Sequence, residues 1–229
     1  MTQRRVRAYI GLGTNLGDAS ATLVAAVRAL ADLPGARLRG VSRLYATEPV
    51  GLTDQPEFRN AVVALDVPAG PDDATGALTL LGSLKGLERA FGRRRRRRWG
   101  PRELDLDLIV FGRARLVIER SPEARSLAAD ADPTAAVKLL VVPHPEAGER
   151  SFVLAPLADL APGLVPPGWG RSVGSARRDR LGREGPSAVR AIGAWETTAM
   201  AWRPIRPARQ PADATLPGPL TAPKRSPVR

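Results

Sequence analysis

The most constraining feature of this sequence is a run in which leucine and aspartate alternate, Leu104-Asp105-Leu106-Asp107-Leu108. Successive side chains on a β-strand point to opposite faces of the sheet, so the run predicts a strand with its leucines in a core and both carboxylates on the other face. Two carboxylates about 6–7 Å apart on a rigid strand suit a hard cation such as Mg²⁺. Taken alone, such a pair is more typical of a solvent-facing sheet edge.

An arginine-rich segment comes immediately before this strand. Six consecutive arginines, Arg93 to Arg98, are followed by Trp99-Gly100-Pro101-Arg102. Guanidinium groups bind phosphate oxygens through paired hydrogen bonds, so the segment suits a polyphosphate. A solvated charge run and a small nucleic-acid patch are the alternatives for the arginines alone. The carboxylate pair and the arginines together favour a metal–nucleotide site.

The positive charge is confined to two parts of the chain. The 35 Lys and Arg residues exceed the 23 Asp and Glu residues by 12. Arg93 to Arg98 and residues 166–229 account for all of this excess, because residues 166–229 alone hold 12 basic and 4 acidic residues. A nucleic-acid-binding surface spreads basic residues over a face with interleaved aromatics. That pattern is missing, so we do not expect nucleic acid as a partner.

The residue types present exclude several kinds of chemistry. The chain has no Cys, which excludes disulfides, thiolate zinc sites and Cys nucleophiles. His144 is the single His, which disfavours both a Ser-His-Asp catalytic triad and a metal centre with several histidine ligands. No apolar run approaches the ~20 residues of a membrane span, and the N-terminus shows no secretory pattern. We therefore expect a cytoplasmic protein that has no membrane partner.

A glycine-rich stretch near the N-terminus resembles a dinucleotide-binding motif only in part. Gly11 and Gly13 have the right spacing, but the next glycine is Gly17, one residue too late. The sequence contains no Gly-Lys-Ser/Thr, which excludes a P-loop. A tight turn between the first strand and the first helix is the better interpretation of these three glycines.

The spacing of apolar residues predicts the element order β-α-β-β-α-β. This order is typical of the ferredoxin-like, split βαβ arrangement, an α+β fold in which two helices pack on one face of an antiparallel sheet. The first helix has apolar residues at helical spacing from Leu23 to Leu33, and Asp18 or Ser20 is its expected cap. The predicted strands are 6–12, 37–47, 58–67 and 104–111, and the predicted helices are 20–33 and 71–91.

Two segments fall outside this pattern. Residues 119–138 are polar and Ala-rich and indicate a surface insertion within a domain that spans residues 1–165.

The second segment is the C-terminal part of the chain. Residues 166–229 contain 10 of the 22 prolines and only 8 Leu, Ile or Val residues. Such a segment buries too little apolar surface to offset its ordering entropy, so we expect a disordered tail with at most a weak helix near 188–195. Truncation near Pro167 should then leave the melting temperature nearly unchanged.

The stretch from Arg98 to Ile109 closely resembles the signature of the 6-hydroxymethyl-7,8-dihydropterin pyrophosphokinase family of folate biosynthesis. The resemblance covers about residues 6–165, and further family landmarks occur in the same order along the chain. They are Tyr9-Ile10-Gly11-Leu12-Gly13-Thr14-Asn15-Leu16-Gly17, Tyr45-x-Thr47-x-Pro49-x-Gly51, Asp54-Gln55-Pro56-x-Phe58-x-Asn60, Leu87-Glu88 ahead of Gly92-Arg93, and Pro143-His144-Pro145 followed by Arg150-x-Phe152.

The resemblance implies a transfer of pyrophosphate from ATP to the hydroxymethyl oxygen of the pterin, with AMP as the leaving group. It implies that Asp105 and Asp107 hold two Mg²⁺ ions, which neutralise phosphate charge and align the reacting oxygens. Catalytic roles are implied for both aspartates and for Arg93, Arg95 and Arg102. The residues implied to bind ATP are Lys85, which replaces an expected Gln, and Glu88, Arg98, His144 and Arg150.

The resemblance also implies a pterin site with two aromatic rings. Phe58 and Phe152 match the family's stacking aromatics, and aromatic pairs contribute about 0.5–1.5 kcal/mol beyond area burial. Asn60 can donate and accept hydrogen bonds at the amide edge of the pterin. The other residues implied to contact the pterin are Thr47, Glu48, Val50 and Trp99.

The sequence is compatible with three hypotheses about function. The first is a pyrophosphokinase whose partners are ATP, Mg²⁺ and the pterin; the second is a nucleic-acid-binding protein that uses the arginines and the basic tail. The second predicts several aromatics for base stacking near the arginines, where only Trp99 is available. The third, a family member without activity, is disfavoured because the residues it would lack are intact: Asp105, Asp107, Arg102, His144 and Asn60. We favour the first function and expect a monomer.

Single Arg→Ala substitutions in the arginine segment should fall into two groups. By the family spacing, some of these side chains reach the phosphates while the others stay solvated. We expect at least a tenfold loss of activity, about 1.4 kcal/mol, for Arg102→Ala and for at least one of Arg93, Arg95 and Arg98, with near-neutral effects at Arg94, Arg96 and Arg97. Steady-state kinetics of each variant measures the split. A uniform small loss at every position would instead indicate a diffuse electrostatic patch and favour nucleic-acid binding.

Overall fold

A computed structural model describes residues 4–49, 54–93, 100–125, 137–185 and 188–205. The described residues form nine strands and four α-helices, here numbered along the chain. They are β1 (Arg5–Thr14), α1 (Ala19–Ala31), β2 (Arg37–Val41), β3 (Leu44–Thr47), β4 (Phe58–Pro68), α2 (Asp73–Ala90), β5 (Asp105–Phe111), β6 (Leu116–Glu119), β7 (Lys138–Val142), α3 (Ser151–Leu160), α4 (Val173–Glu184), β8 (Val189–Glu196) and β9 (Ala201–Pro204).

Seven of the described strands form one antiparallel sheet. Its order is β5-β1-β4-β3-β8-β9, and β2 pairs with the second half of β4. The predicted strand 37–47 is therefore two strands, β2 and β3. The chain bends between them at Ser42, whose N–H and Oγ bond the backbone of Val62 at 2.9 Å each. The predicted antiparallel α+β sheet is confirmed.

The two predicted helices pack on one face of this sheet. α1 buries Leu23, Val27 and Leu30, the positions that its apolar spacing indicates, and it begins where the Asp18 side chain accepts the N–H of Ala21 at 3.0 Å. α2 begins in the same way, because Asp72 accepts the N–H of Thr75 at 2.8 Å. A side-chain acceptor at this position satisfies one of the free N–H groups of the first turn, which fixes where each helix starts.

A second helical layer covers the opposite face of the sheet. α3 and α4 pack there against Tyr9, Val62 and Ile109. Strand β5 divides its side chains between the two layers as the alternation predicts: its leucines join the core under α1 and α2, and its aspartates face the side that carries α3. The carboxylate pair therefore lies on a different face from the two helices that the sequence predicts.

The predicted disorder of residues 166–229 is wrong for the part that the structure describes. Within 166–205 the chain forms α4, β8 and β9, and the weak helix expected near 188–195 is strand β8. Composition averaged over the segment hides where its few apolar residues lie. Val173 is fully buried under α3, and the rings of Trp195 and Trp202 pack edge to face with centroids 4.8 Å apart. β8 also pairs its backbone with β3, which offsets its ordering cost. Residues 206–229 lie outside the described residues.

The expected insertion at 119–138 connects two strands of a small separate sheet. β6 and β7 pair antiparallel from Leu116↔Val142 to Glu119↔Lys138, and residues 120–125 between them include a short 3₁₀ turn, Pro122–Ala124. Residues 126–136 lie outside the described residues. In the described ranges, no helix has the combination of length and apolar character that crossing a bilayer requires.

Substitutions at Trp202 should measure how much the C-terminal strands contribute to stability. The indole N–H donates to the backbone oxygen of Ser42 at 2.8 Å, which ties β9 to the bend between β2 and β3. Trp202→Phe removes mainly this hydrogen bond and should cost about 1 kcal/mol in the free energy of unfolding. Trp202→Ala also removes the ring and should cost about 3 kcal/mol, the lower end for a half-buried aromatic. Urea denaturation of both variants, with the exposed Arg203→Gln as control, tests this; equal stability of Trp202→Ala and wild type would contradict it.

Candidate active site

The carboxylate pair lies across the sheet from the predicted pterin residue, with a glycine between them. β5 pairs with β1 so that Asp105 is opposite Gly13 and Asp107 opposite Gly11, and on the other side of β1 Gly13 is opposite Asn60. Neighbouring strands are about 4.8 Å apart, so Asp105 and Asn60 are about 10 Å apart at the backbone. Gly13 places no side chain between Asp105 and Asn60, and we call this face of the sheet, with the residues around it, the cleft.

The glycines of β1 are required by close approach and not by a turn. A Cβ atom at Gly13 would lie 3.1 Å from Oδ1 of Asn60, and one at Gly11 would lie 3.3 Å from the side chain of Ile109. Both glycines are inside β1, so the turn expected for them is wrong. The expectation holds for Gly17, which has φ +59° and follows the end of the strand.

Two arginines hold the carboxylate of Asp105. Nη1 of Arg93 lies 2.6 Å from its Oδ1, and Nη1 of Arg102 contacts its Oδ2. Burial by itself raises the pKa of Asp105, but the charges of Arg102 and Arg93 outweigh it and hold that pKa below its usual range. Asp105 is therefore ionised at neutral pH in a largely buried position.

Asp107 has the opposite electrostatic environment. Burial, and then repulsion from the charge of Asp105, raise the pKa of Asp107 above its usual range, with His144 acting against this shift. The two carboxylates thus share a face of β5, and among the described residues it is Asp105 that makes ion pairs with arginine. Negative charge at Asp107 is only partly compensated by the protein.

Glu88 is a buried carboxylate that joins α2 to β5. Only 3% of Glu88 is exposed, and its Oε1 accepts the backbone N–H of Leu106 at 2.8 Å. The same oxygen pairs with Nζ of Lys85 at 2.7 Å and contacts Arg93. Lys85 also donates to the backbone oxygen of Leu106 at 3.2 Å. Both predicted ATP-binding residues of α2 therefore lie beside Asp105, connected to it through Arg93.

Thr14 and Asn15, which sequence reasoning did not include in the site, position the loop that carries Arg102. The Thr14 hydroxyl donates to the backbone oxygen of Glu103 at 2.7 Å, and Oδ1 of Asn15 accepts the N–H of Arg102 at 2.8 Å. Nδ2 of Asn15 donates to Gln55 at 3.0 Å, in the segment that leads to β4. The available signal was a polar pair directly after an apolar strand; both side chains are buried.

The predicted pterin residues of β3 and β4 lie on the cleft side of the sheet. Nδ2 of Asn60 donates to the hydroxyl of Thr47 at 2.7 Å, and both residues are 6% exposed. Phe58 is opposite Thr47 in the ladder and shares the face of Asn60 because strand side chains alternate. Glu48 follows β3 and is exposed.

His144 and the start of α3 form the other wall of the cleft. The N–H of His144 bonds the backbone oxygen of Ile109 at 2.9 Å, and its Nδ1 accepts the N–H of Glu146 at 3.3 Å. Burial lowers the pKa of His144, and the charge of Arg150 adds to this while Asp107 opposes it. A neutral imidazole with Nδ1 as acceptor carries its proton on Nε2, which is then a donor. The Arg150 guanidinium lies over the Phe152 ring, 5.6 Å from its centroid.

The structure thus brings together most of the predicted site residues on one face of the sheet. Arg93, Arg102, Asp105 and Asp107 are adjacent or share a strand, with Lys85 and Glu88 behind them. Four predicted residues lie outside the described residues: Val50, Arg95, Arg98 and Trp99.

The donor set fits Mg²⁺. In the described ranges no three or more His, Asp or Glu side chains gather into a metal-enclosing group, so the candidate is the pair Asp105 and Asp107. Mg²⁺ at nucleotide sites is typically held by one or two carboxylates, while phosphates and waters complete its shell. The raised pKa of Asp107 marks negative charge that a cation beside it would stabilise.

An antiparallel sheet that presents two largely buried carboxylates beside arginines and a neutral His has the chemistry that suits a metal–nucleotide complex. The model of the 7,8-dihydro-6-hydroxymethylpterin-pyrophosphokinase family matches residues 9–162. The chain belongs to this family.

Curated relatives with the same description are similar over most of the chain. A 2-amino-4-hydroxy-6-hydroxymethyldihydropteridine pyrophosphokinase of Methylorubrum extorquens is 39% identical over 186 residues, which are 81% of this chain and 98% of the relative. A pyrophosphokinase of the same name from Pseudomonas aeruginosa is 42% identical over 158 residues, 69% of this chain and 82% of the relative.

Solved structures support the fold. The HPPK-DHPS protein of Plasmodium falciparum, as a triple mutant with STZ-DHP, superposes with a TM-score of 0.63 at 12% identity. The superposition covers 89% of this chain and 49% of the Plasmodium chain, so this chain spans about half of that protein. At this identity the likeness shows the shared fold alone.

Substitutions of Glu88 should separate its hydrogen bond from its charge. Glu88→Ala leaves the N–H of Leu106 without its acceptor and removes the partner of two cations, so it should cost about 2–3 kcal/mol in the free energy of unfolding. Glu88→Gln keeps an oxygen for Leu106 and should cost about 1 kcal/mol. Thermal and urea unfolding measure the difference, with Arg89→Gln on the exposed side of α2 as control. Equal losses for Ala and Gln would refute the hydrogen-bond role.

Proposed function

We infer that this chain is an ATP- and Mg²⁺-dependent pyrophosphokinase of folate biosynthesis. It transfers the terminal pyrophosphate of ATP to the hydroxymethyl group of 6-hydroxymethyl-7,8-dihydropterin, and the products are the pterin diphosphate and AMP. The observation that carries this conclusion is the pair Asp105 and Asp107 on one face of β5, with Arg93 and Arg102 against the first of them. Family membership agrees with it.

The aspartate pair is our proposed metal site. Asp105 and Asp107 would hold two Mg²⁺ ions between the protein and the triphosphate. When bound, Mg²⁺ supplies charge neutralisation on the phosphates and fixes the reacting oxygens. The depressed pKa of Asp105 supports this role, because an ionised carboxylate is required for coordination.

The arginines and His144 are our proposed phosphate ligands. The guanidinium groups of Arg93 and Arg102 are already directed at the Asp105 side of the cleft, where they would stabilise charge that develops on the transferred phosphate and on AMP. His144 would donate from Nε2 and Arg150 from its guanidinium on the opposite wall. A neutral His with a fixed tautomer binds a phosphate oxygen without competing for the metal.

The pterin would bind on the Asn60 side of Gly13. The hydrogen bond from Asn60 to Thr47 orients the amide, so Oδ1 is the atom that would accept from the pterin's amide edge. Phe58 and Phe152 would stack on the flat ring, and the backbone groups of Glu48 and Val50 would contact its polar atoms. Trp99 would complete the site from the arginine segment.

We further propose that the protein acts as a monomer in the cytoplasm, where ATP is available. All proposed ligands of both substrates come from one chain, so the site needs no second copy. Sedimentation of the full chain with and without substrates tests the monomer, and a dimer in both states would refute it.

Asp105→Ala and Asp107→Ala should each lower turnover by about 10²–10³, or 3–4 kcal/mol, because each removes fixed charge from the reacting phosphates. The fold should survive, since both side chains face the cleft and not the leucine core. AMP release from ATP and the pterin is the assay, and chelation of Mg²⁺ by EDTA should abolish it in wild type. Asp73→Asn, which alters a surface pair with Arg4, is the control and should keep full activity. More than a tenth of wild-type turnover in either Ala variant at saturating Mg²⁺ would refute the metal site.

A further inference from the structure

Residues 163–205 follow the part of the chain that matches the family model, yet they contact both walls of the cleft. We call residues 163–205, with α4, β8 and β9, the C-terminal brace. We propose that the C-terminal brace positions the two substrate sites separately, through Arg180 on the ATP side and Arg190 on the pterin side. This inference rests on the proposed function, because it assigns each contact to one of its two substrates.

On the ATP side, α4 holds both chain neighbours of Arg150. Glu149 is paired with Arg171 at 3.1 Å and with Nη1 of Arg180 at 3.6 Å. Ser151 donates to Glu184, and Nε of Arg180 lies 2.7 Å from the other oxygen of that carboxylate. Arg180 therefore links the residue before Arg150 to the one after it.

The position of α4 is itself fixed by apolar packing. Val173 in its first turn is fully buried, and the Trp169 ring lies against Gly148, where an added Cβ would be 3.5 Å from it. The ion pairs of Arg180 thus extend from a helix held in place by the core. A charged network built on a fixed helix orients the segment it binds more effectively than an isolated surface pair.

On the pterin side, β8 extends the ladder that contains Thr47. Val189 is opposite Thr47 and Arg190 is opposite Ala46. Arg190 reaches past β3 to the carboxylate of Glu57, which also pairs with Arg59 at 3.1 Å. The hydrogen bond from Arg190, and then that from Arg59, hold the pKa of Glu57 below its usual range, as expected for a formed ion pair.

Glu57 is the last residue before Phe58, so its position determines where the loop enters β4. From the other side, Asn15 donates to the backbone oxygen of Pro56 at 3.1 Å. The segment before Phe58 is therefore held by two contacts, one from Asn15 directly after β1 and one from Arg190 of the C-terminal brace. Among the described residues, the ion-pair partners of Arg180 are Glu149 and Glu184 and that of Arg190 is Glu57, so the effects on the two substrates should be separable.

The experiment compares two variants of the full chain against both substrates. Arg180→Gln should raise KM for ATP about threefold to tenfold and leave KM for the pterin within twofold. Arg190→Gln should do the reverse. Neither should shift the melting temperature by more than a degree or two, because partly exposed ion pairs contribute little to stability.

Each variant has a matched control on the same helix or on the same β-hairpin. Arg178→Gln on α4 alters an exposed arginine that has no ion pair among the described residues. Arg203→Gln alters a pair with Glu196 at the far end of the β8–β9 hairpin. Both controls should match wild type. Arg190→Lys should recover part of the pterin KM, since a cation can still reach Glu57.

Equilibrium titration separates failure of this inference from failure of the proposed function. Calorimetry uses a non-hydrolysable ATP analogue with Mg²⁺ as one probe and the hydroxymethyl dihydropterin as the other. Wild type that binds neither would overturn the proposed function, and this inference with it. If wild type binds both probes, and each variant binds both as well as wild type does or binds both more weakly, the proposed role of the C-terminal brace is refuted while the proposed function stands. If each variant selectively weakens the binding of one probe, the proposed role is supported.

Discussion

The site depends on the ion pairs that Arg93 and Arg102 make with Asp105. A carboxylate taken out of water is costly unless cations and hydrogen bonds compensate it. Here two guanidinium groups do so for Asp105, and among the described residues no such arginine pair is placed on Asp107, whose pKa is raised. The asymmetry leaves one ionised carboxylate and one that a metal would stabilise. Most of the other polar contacts nearby, from Glu88 to Asn15, hold the two arginines or the strand beneath them.

Strand β1 connects this local charge arrangement to the proposed pterin site. It lies between β5 and β4, so a single row across the sheet carries Asp105, Gly13 and Asn60. The missing side chain at Gly13 leaves room above the sheet, and Asn15 at the end of the same strand holds both the Arg102 loop and the chain leading to Phe58. The proposed metal side and the proposed pterin side are therefore positioned by one element.

The segment after residue 165 shows how composition can mislead. Its prolines and arginines are typical of disorder, and the average over the segment conceals Val173, Trp195 and Trp202. These few residues pack against apolar surface on α3 and near the bend after β2. Order in such a segment depends on the surface it packs against, which a window of its own sequence does not contain.

The sequence by itself determined strands β1, β4 and β5 and helices α1 and α2, and it indicated the chemistry; it missed α4, β8 and β9. Alternation in 104–108 predicted the two faces of β5, helical spacing predicted α1 and α2, and the residue types near Arg102 predicted a metal–nucleotide site, because these signals depend only on neighbours along the chain. Tertiary structure decided the rest. Gly13 meets Asn60, Glu88 meets Leu106, and Arg190 meets Glu57 across long separations in the chain. Such contacts follow from strand order and register, which local periodicity does not specify.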